Sequence, residues 1–304
     1  MGKILLQSCF YIATFLAMLS PSLAASVVIE TATGPKSIPE KPQTLVVFDV
    51  AAIDTLGALD VPIAGVPKPY YVSYLDGIAE DAIATGTLFE PDYEVLANMA
   101  PDIIIAGSRS ANKVGMLSKI APTIDMTIWG NNHVQKMLDR LAAYGLLTGK
   151  KRKANALKDA FNAKLAQTRN AIKGKGKALI ILTNGPKVSA YGAGSRFGWL
   201  HTDLGLPEAH PGVDAQTHGE AVSFEFIADI DPDWLIVIDR GAATGSAGQS
   251  ATATLDNVLI TQTRAWTSGQ VVFLDPGRIY IAGGGLQSIS GTLDEMTNAF
   301  APQD

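Results

Sequence analysis

The sequence predicts an α/β fold with two lobes, each built on a mainly parallel sheet, and one long helix between them. Short apolar runs recur along both halves of the chain and alternate with segments of helical periodicity, which is typical of parallel sheets covered by helices. Between the halves, residues 133–173 are helical in pattern and contain no proline. A chain of 304 residues is long enough for two such lobes.

The first half contains four apolar runs that we interpret as strands, at residues 44–48, 62–66, 102–106 and 123–129. Residues 103–106 are all apolar and are bounded by Pro-Asp and by glycine, as expected of a strand buried on both faces. Apolar residues recur with helical spacing over residues 50–59. These elements predict an α/β lobe over residues 25–148.

The second half repeats this alternation. Apolar runs at residues 178–182, 234–238 and 270–274 predict three strands, and residues 286–300 predict a final helix. Residues 151–172 predict one continuous helix, roughly 30 Å long. We therefore expect a connecting helix over residues 149–174 and a second lobe over residues 175–304. The cleft between two Rossmann-like lobes is then the expected ligand site.

The first 24 residues have the layout of a cleaved signal peptide. Lys3 supplies a positive charge, residues 4–19 are largely apolar, and residues 22–24 form a small-x-small cleavage site. A membrane anchor is the alternative, although the apolar run is short for a span. Cys9, the only cysteine, lies inside this segment, so the exported chain is expected to contain no thiol and no disulfide.

Charge and motifs exclude several classes of function. The net charge of -5 provides no general attraction to nucleic acid, so any anion binding must come from a local cluster of basic residues. The sequence has no Gly-x-Ser-x-Gly elbow, no phosphate-binding loop motif and no His-Glu-x-x-His motif. We therefore expect a binding protein rather than an enzyme, and an uncharacterised secreted enzyme is the more remote alternative.

Two segments repeat one pattern, one segment in each predicted lobe. The matching residues, all offset by 131 positions, are Glu94 and Glu225, Pro101 and Pro232, and Arg109 and Arg240. In each segment a Pro-Asp turn precedes an apolar strand, and the arginine lies just past the strand's end. Because ligands bind outside the carboxyl ends of strands in open α/β sheets, both arginines are expected to face one cleft.

Five motifs together resemble the periplasmic binding proteins for catecholate siderophores, which serve ATP-driven iron importers of the enterobactin and petrobactin type. The resemblance covers essentially the whole chain after the N-terminal segment, in order. The motifs are GTLFEPDYE at 86–94, PDIIIAGSR at 101–109, SRFG at 195–198, THG at 217–219 and DPDWLIVIDR at 231–240. The Pro-Asp-strand motif marks only the wider two-lobed class, which includes haem and cobalamin binders.

The resemblance implies that Arg109, Arg196 and Arg240 bind the ferric siderophore. Ferric iron wrapped by dianionic catecholates is an anion, and the planar guanidinium group keeps its charge while it aims several donors at the catecholate oxygens. At about 4 Å and an effective dielectric constant of about 20, each pair of unit charges attracts by roughly 4 kcal/mol before desolvation is subtracted.

The resemblance also assigns roles to four other residues. His218 and Tyr280 are implied to bind Fe(III) directly when a tetradentate siderophore leaves two coordination sites open, since phenolate oxygen and imidazole nitrogen both suit iron. Glu94 and Glu225 are implied to dock on an inner-membrane permease. The chain is accordingly expected to be a periplasmic monomer with no intrinsic cofactor and no nucleic-acid partner, its ligand being the ferric siderophore.

Other ligands stay open at this point. Haem or cobalamin would suit the same architecture, although haem needs no arginine trio around its metal. A divalent-metal site could use His201, His210 and His218, which lie in one stretch of the chain. Trp199 and Trp234 are expected near the site, where a bound chromophore would quench their fluorescence.

Overall fold

The protein is described here from a computed structural model, which covers residues 26–213 and 219–301. Two five-stranded sheets each belong to one half of the chain, and an antiparallel hairpin of β1 (Ser26–Thr31) and β2 (Gly34–Pro39) precedes them. The predicted signal peptide and His218 lie outside the described residues. Within the described ranges, no helix combines the length and apolarity that a membrane span requires.

The first sheet is parallel throughout, as predicted. Its strands are β3 (Leu45–Val47), β4 (Gly65–Val66), β5 (Ile83–Ala84), β6 (Ile103–Ala106) and β7 (Thr123–Asp125), and their order in space is β5-β4-β3-β6-β7. Every residue of β3 and β6 is buried, which explains why these runs are apolar without alternation. The helices of this half are α1 (Val50–Ala58), α2 (Tyr93–Met99) and α3 (Val114–Leu117).

The second sheet is mixed. Its strands are β8 (Ala178–Asn184), β9 (Lys187–Tyr191), β10 (Glu220–Val222), β11 (Trp234–Asp239) and β12 (Val271–Phe273), in the spatial order β10-β9-β8-β11-β12. The three predicted strands, β8, β11 and β12, are parallel, whereas β9 and β10 add antiparallel pairs. Sequence analysis missed these two strands because both are short and partly exposed, so neither has the continuous apolar composition of β8 and β11. β9 pairs with β8 through a tight turn at residues 185–186.

The predicted helical stretch forms two helices, α4 (His133–Leu147) and α5 (Lys151–Ile172), and α5 has the predicted bounds. The chain breaks between them at Gly149, whose φ of +70° costs glycine no strain. The described residues of the second half form seven further α-helices: α6 (Trp199–Thr202), α7 (Phe224–Ile230), α8 (Arg240–Ala243), α9 (Ala251–Leu255), α10 (Val258–Thr261), α11 (Arg264–Thr267) and α12 (Leu286–Phe300).

The final helix, α12, packs against both α5 and α1, so it joins the connecting helix to the first half. Its amino end is held by Asp54 of α1, whose buried carboxylate accepts hydrogen bonds from the backbone N–H groups of Gln287 at 2.7 Å and Ser288 at 2.8 Å. We call this contact the Asp54 clasp. α12 belongs to the predicted second lobe, yet it packs against α1 of the first half. The lobe boundaries at residues 148 and 175 therefore remain predictions.

The repeated segments of the sequence have matching local structures. α2 and α7 are both seven-residue helices that end at a left-handed residue, Ala100 and Asp231, each with φ of 44°. The aspartates of the two Pro-Asp turns also make equivalent hydrogen bonds to backbone amides. Asp102 accepts hydrogen bonds from the amides of residues 43 and 44, and Asp233 accepts one from the amide of Lys177. Each aspartate thus ties its strand to the start of the neighbouring central strand.

Candidate functional site

The three predicted arginines lie in loops or helix ends that follow strands. Arg109 lies beyond the carboxyl end of β6, and Arg240 follows β11 directly as the first residue of α8. Arg196 lies in the loop after β9, where the Ser195 hydroxyl donates to the carbonyl of Gly192 at 2.7 Å and closes a tight turn. The carboxyl edges of the two sheets therefore supply Arg109 and Arg240. Arg196 comes instead from the loop after β9, which runs antiparallel to β8.

All three guanidinium groups meet at Tyr280. Arg109 donates from Nη2 to the carbonyl of Tyr280 at 3.0 Å and from Nη1 to the carbonyl of Ile281 at 3.2 Å. Arg196 donates from Nη2 to the same Tyr280 carbonyl at 3.0 Å. Arg240 donates from Nε to the Tyr280 hydroxyl at 3.0 Å. The arginine of the first half therefore reaches across to the second half, and one cluster contains guanidinium groups from both.

Tyr280 lies in a single turn of π-helix, Gly277–Ile281, which follows β12. Such turns are rare in proteins, and those that occur often lie at functional sites. The Arg196 guanidinium carbon lies 4.6 Å from the centre of the Tyr280 ring and 4.7 Å from that of Phe197, so it packs against both aromatic rings. The phenol is half-buried, and its ring and hydroxyl both contact arginines.

Among the residues that the structure describes, no carboxylate is hydrogen-bonded to the three guanidinium groups, so the cluster concentrates positive charge. Burial lowers the pKa of Arg109, and the charge of Arg196 lowers it further. Burial also lowers the pKa of Arg196. Arginine nevertheless keeps its proton in proteins, so the site retains fixed positive charges whose removal from water is costly. An anionic ligand would offset that cost.

A cavity of about 240 Å³ lies between the two halves beside this cluster. Its walls come from the loop after β7, from the start of α4, from the Arg196 loop and α6, and from the segment around Tyr280. The lining residues are Ser108, Ile128, Trp129, Gly130, His133, Gly194, Ser195, Arg196, Phe197, Trp199, Ile279 and Gly283. We refer to this cavity as the cleft.

Within the described part of the chain, neither predicted docking residue lines the cleft or makes a hydrogen bond to the arginine cluster. Glu94 is exposed in the first turn of α2, where the side chain of Asp92 caps the helix. Glu225 is exposed in the first turn of α7, which Ser223 caps. Hydrogen bonds from its own backbone amide and from Ser223 lower the pKa of Glu225, which keeps it charged. His218, the other predicted iron ligand, lies outside the described residues.

One expectation about tryptophan is wrong. Trp234 is the first residue of β11, at the opposite end of that strand from Arg240, and its indole stacks on Phe300 at 3.8 Å in the core. Trp199 does line the cleft, as expected. Sequence analysis missed Trp129, which is 57% exposed on the cleft wall, because residues 123–129 were interpreted as one strand whereas β7 ends at residue 125.

His133 and Asn184 were also missed. His133 begins α4 and lines the cleft, and Asn184 accepts a hydrogen bond from Nη1 of Arg240 at 3.0 Å through its side-chain oxygen. Neither position carries a sequence motif. Asn184 ends β8, so only the pairing of β8 with β11 brings its side chain to the arginine.

The histidines of the alternative metal site have other surroundings. His201 is buried, and its Nδ1 lies 2.8 Å from the carbonyl oxygen of Leu206, which makes it part of the local packing. His210 is exposed and lies edge-on to Phe226. Within residues 26–213 and 219–301, no three His, Cys, Asp or Glu side chains come together in a way that could hold a metal ion.

Comparison with known proteins decides the family. Residues 45–277 match the periplasmic binding protein family. The chain belongs to that family. The match spans both sheets, α4 and α5, and it ends at Gly277, where the π-helix of Tyr280 begins.

Individual members of the family are similar over most of their length. The petrobactin-binding protein YclQ of Bacillus subtilis is 33% identical over 263 residues, which are 85% of this chain and 83% of that protein. Its crystal structure matches with a TM-score of 0.88 at 29% identity and covers 92% of this chain and 100% of that one. The ferric-anguibactin-binding protein FatB of Vibrio anguillarum is 29% identical, over 91% of this chain and 88% of that protein.

A catecholate-siderophore binding protein has the same fold. The crystal structure of the periplasmic protein VctP of Vibrio cholerae matches with a TM-score of 0.83 at 27% identity, over 90% of this chain and 100% of that one. These findings confirm the predicted family and the two-lobed α/β fold. The family and these relatives are binding proteins, which confirms the prediction of a binding protein rather than an enzyme.

Proposed function

We propose that this chain binds a ferric catecholate siderophore at the arginine cluster and in the adjoining cleft, and delivers it to an ATP-driven importer in the inner membrane. The observation that carries the proposal is the convergence of Arg109, Arg196 and Arg240 on Tyr280. Three fixed positive charges suit an anionic chelate, and guanidinium groups match catecholate oxygens as hydrogen-bond acceptors. The relatives that bind petrobactin, ferric anguibactin and a catecholate siderophore support this class of ligand.

Tyr280 and His218 are the proposed direct ligands of Fe(III) when the siderophore is tetradentate. The phenol oxygen of Tyr280 is a hard donor, and the hydrogen bond from Arg240 places a positive charge beside it. A ligand that leaves two coordination sites open would be completed by this oxygen and by the imidazole. A hexadentate siderophore would need only the arginines.

Delivery is proposed to use the two exposed glutamates. Glu94 and Glu225 occupy equivalent first-turn positions in α2 and α7, so each half offers one carboxylate for docking on basic residues of a permease. Residues 1–24 are proposed to act as the signal peptide that directs the protein to the periplasm, where it functions as a monomer. The proposal requires no intrinsic cofactor.

Ligand titrations followed by intrinsic tryptophan fluorescence test this function. Trp129 and Trp199 line the cleft, so a bound ferric catecholate will quench their emission. We expect a ferric bis-catecholate to bind with sub-micromolar affinity. Haem and cobalamin, which also absorb light, are expected to bind at least roughly 100-fold more weakly, a difference of about 2.7 kcal/mol. Zn²⁺ is expected to cause no saturable quenching.

The same titrations identify the alternatives. Tight binding of haem or cobalamin with weak binding of every ferric catecholate would replace the proposal with another cargo of the same architecture. Saturable binding of Zn²⁺ alone would favour a divalent-metal binder. The metal-free siderophore serves as the control, because the proposal expects the ferric form to bind best.

A further inference from the structure

One half-buried side chain on the cleft wall, that of His133, has a ring nitrogen without a hydrogen-bond partner among the described residues. His133 is the first residue of α4, and its ring stacks on Trp199 of the second half with the centroids 6.0 Å apart and the planes 13° apart. Its Nε2 atom is buried and makes no hydrogen bond with any residue that the structure describes. A buried polar group without a hydrogen-bond partner is unfavourable, and His133 lines the cleft, so its imidazole is a candidate hydrogen-bonding group for a ligand.

The surroundings of this nitrogen are positive. Burial lowers the pKa of His133 to about 4, and the charges of Arg196 and Lys136 act in the same direction. The ring is therefore neutral at physiological pH and carries one N–H. The amino end of α4 adds positive potential, and its Val134 amide already faces the Asp203 carboxylate at 3.3 Å. The donor left for a ligand is the imidazole ring.

This environment selects a negatively charged oxygen. A cation would be repelled by Arg196 and Lys136, whereas an anionic oxygen gains from both charges and accepts the hydrogen bond of a neutral imidazole. The cavity of about 240 Å³ is smaller than the roughly 300–1,000 Å³ of pockets for whole drug-sized ligands, so it suits one arm of a larger chelate.

We propose that His133 binds a carboxylate group of the siderophore, one that does not itself coordinate the iron. Arg240 and Tyr280 then hold the iron centre, Arg196 contacts both parts of the ligand, and His133 with Trp129 and Trp199 forms a second subsite for the carboxylate arm. The inference rests on the proposed function, because the chelate must first be held by the arginines. It makes His133 a residue that determines which siderophore binds best.

Two matched chelates test the subsite. Both are ferric bis-catecholamides with the same linker, which carries a free carboxylate in one and the corresponding methyl ester in the other. Fluorescence titration of the full mature chain is expected to give roughly tenfold tighter binding of the carboxylate form, about 1.4 kcal/mol. Equal affinity for the two forms would overturn the inference.

Variants of the histidine identify the group responsible. His133→Phe keeps a ring to stack on Trp199 but has no N–H, so it is expected to lose the preference for the carboxylate form. His133→Gln keeps a hydrogen-bond donor and is expected to retain part of the preference for the carboxylate form. His210→Phe, the same change at an exposed position, is the control and leaves the preference unchanged. A full preference in His133→Phe would refute the role of the imidazole.

The outcomes separate this inference from the proposed function. If neither chelate binds the unsubstituted protein, the siderophore function itself is wrong. If both bind with equal sub-micromolar affinity, the function stands and the carboxylate subsite is wrong. Since the comparison between the two chelates uses the unsubstituted protein, it holds even if a variant fails to fold.

Discussion

The Nε atom of Arg240 lies 3.0 Å from the hydroxyl oxygen of Tyr280, and its Nη1 lies 3.0 Å from the side-chain oxygen of Asn184. These two contacts fix the guanidinium plane at the carboxyl edge of the second sheet. Because Arg109 and Arg196 both donate to the backbone carbonyl of Tyr280, one tyrosine organises the whole basic cluster.

Removal of any one of the three arginines is expected to weaken binding of a ferric bis-catecholate. For Arg240→Ala the loss is expected to be roughly 10- to 100-fold, about 1.4–2.7 kcal/mol, as for a hydrogen bond to a charged group. Fluorescence titration measures the change. Arg152→Ala, at an exposed position of α5, is the matched control and should bind as the unsubstituted protein does. Unchanged affinity in all three cluster variants would contradict an arginine-based site.

Substitution of Tyr280 by Phe tests direct ligation of iron. The phenylalanine ring still packs against Arg196, but the oxygen that would bind Fe(III) is gone. We expect the visible charge-transfer band of a bound tetradentate siderophore to shift in Tyr280→Phe and in His218→Ala. Binding of a hexadentate tris-catecholate should be largely retained. If neither variant alters the spectrum, the two residues are not iron ligands.

The Asp54 clasp is expected to make stability depend on pH. Burial raises the pKa of Asp54 from 3.8 to about 6. The folded protein therefore holds this proton more tightly than the unfolded chain does, so the contribution of Asp54 to the free energy of unfolding falls as pH rises from about 4 to about 6. A shift of two pKa units corresponds to about 3 kcal/mol.

Asp54→Asn removes this titration. Relative to the unsubstituted protein, its free energy of unfolding should rise between pH 4 and pH 6 and then stay level, as measured by urea denaturation at each pH. Asp159→Asn, at an exposed position of α5, should follow the unsubstituted protein throughout. A constant difference between Asp54→Asn and the unsubstituted protein at every pH would mean that Asp54 does not titrate in this range.

The two exposed glutamates are expected to act in transport and not in ligand binding. Glu94→Ala and Glu225→Ala should leave the affinity for the ferric siderophore unchanged, since neither side chain lines the cleft. Uptake of radiolabelled ferric siderophore by cells should fall in each and fall further in the double variant. Asp229→Ala, at an exposed position of α7, is a control for general effects on the second half. Normal uptake in the double variant would exclude the docking role.

Asp102 is expected to contribute to stability through its backbone contacts. Its Oδ2 accepts hydrogen bonds from the amides of Gln43 at 2.7 Å and Thr44 at 2.9 Å. Asp102→Ala leaves these donors without that partner and is expected to cost about 1–3 kcal/mol. Urea denaturation measures the loss, with Asp159→Ala as the exposed control. A loss below about 0.5 kcal/mol, the usual range for surface changes, would mean that water replaces the carboxylate fully.

Local pattern was sufficient for much of the fold. The apolar runs that became β3, β6, β8 and β11 are buried on both faces, so their composition alone marks them, and α5 follows from an uninterrupted helical stretch. Arg109 and Arg240 were found because a strand's carboxyl end is visible in sequence. The antiparallel strands β9 and β10 were missed because their short, partly exposed runs lack that composition.

The sequence by itself determined the α/β class, the long helix, the paired arginines and the resemblance that pointed to Arg196 and Tyr280. Only the tertiary structure decided that the guanidinium groups meet at one tyrosine, that Asp54 holds the start of α12, and that His133 and Trp129 line the cleft. The physical reason is separation along the chain. The burial of a strand or helix face depends on nearby residues and appears in the sequence as a periodic pattern of apolar residues. The contact between Arg109 and Tyr280 depends instead on how the helices between the two sheets position them.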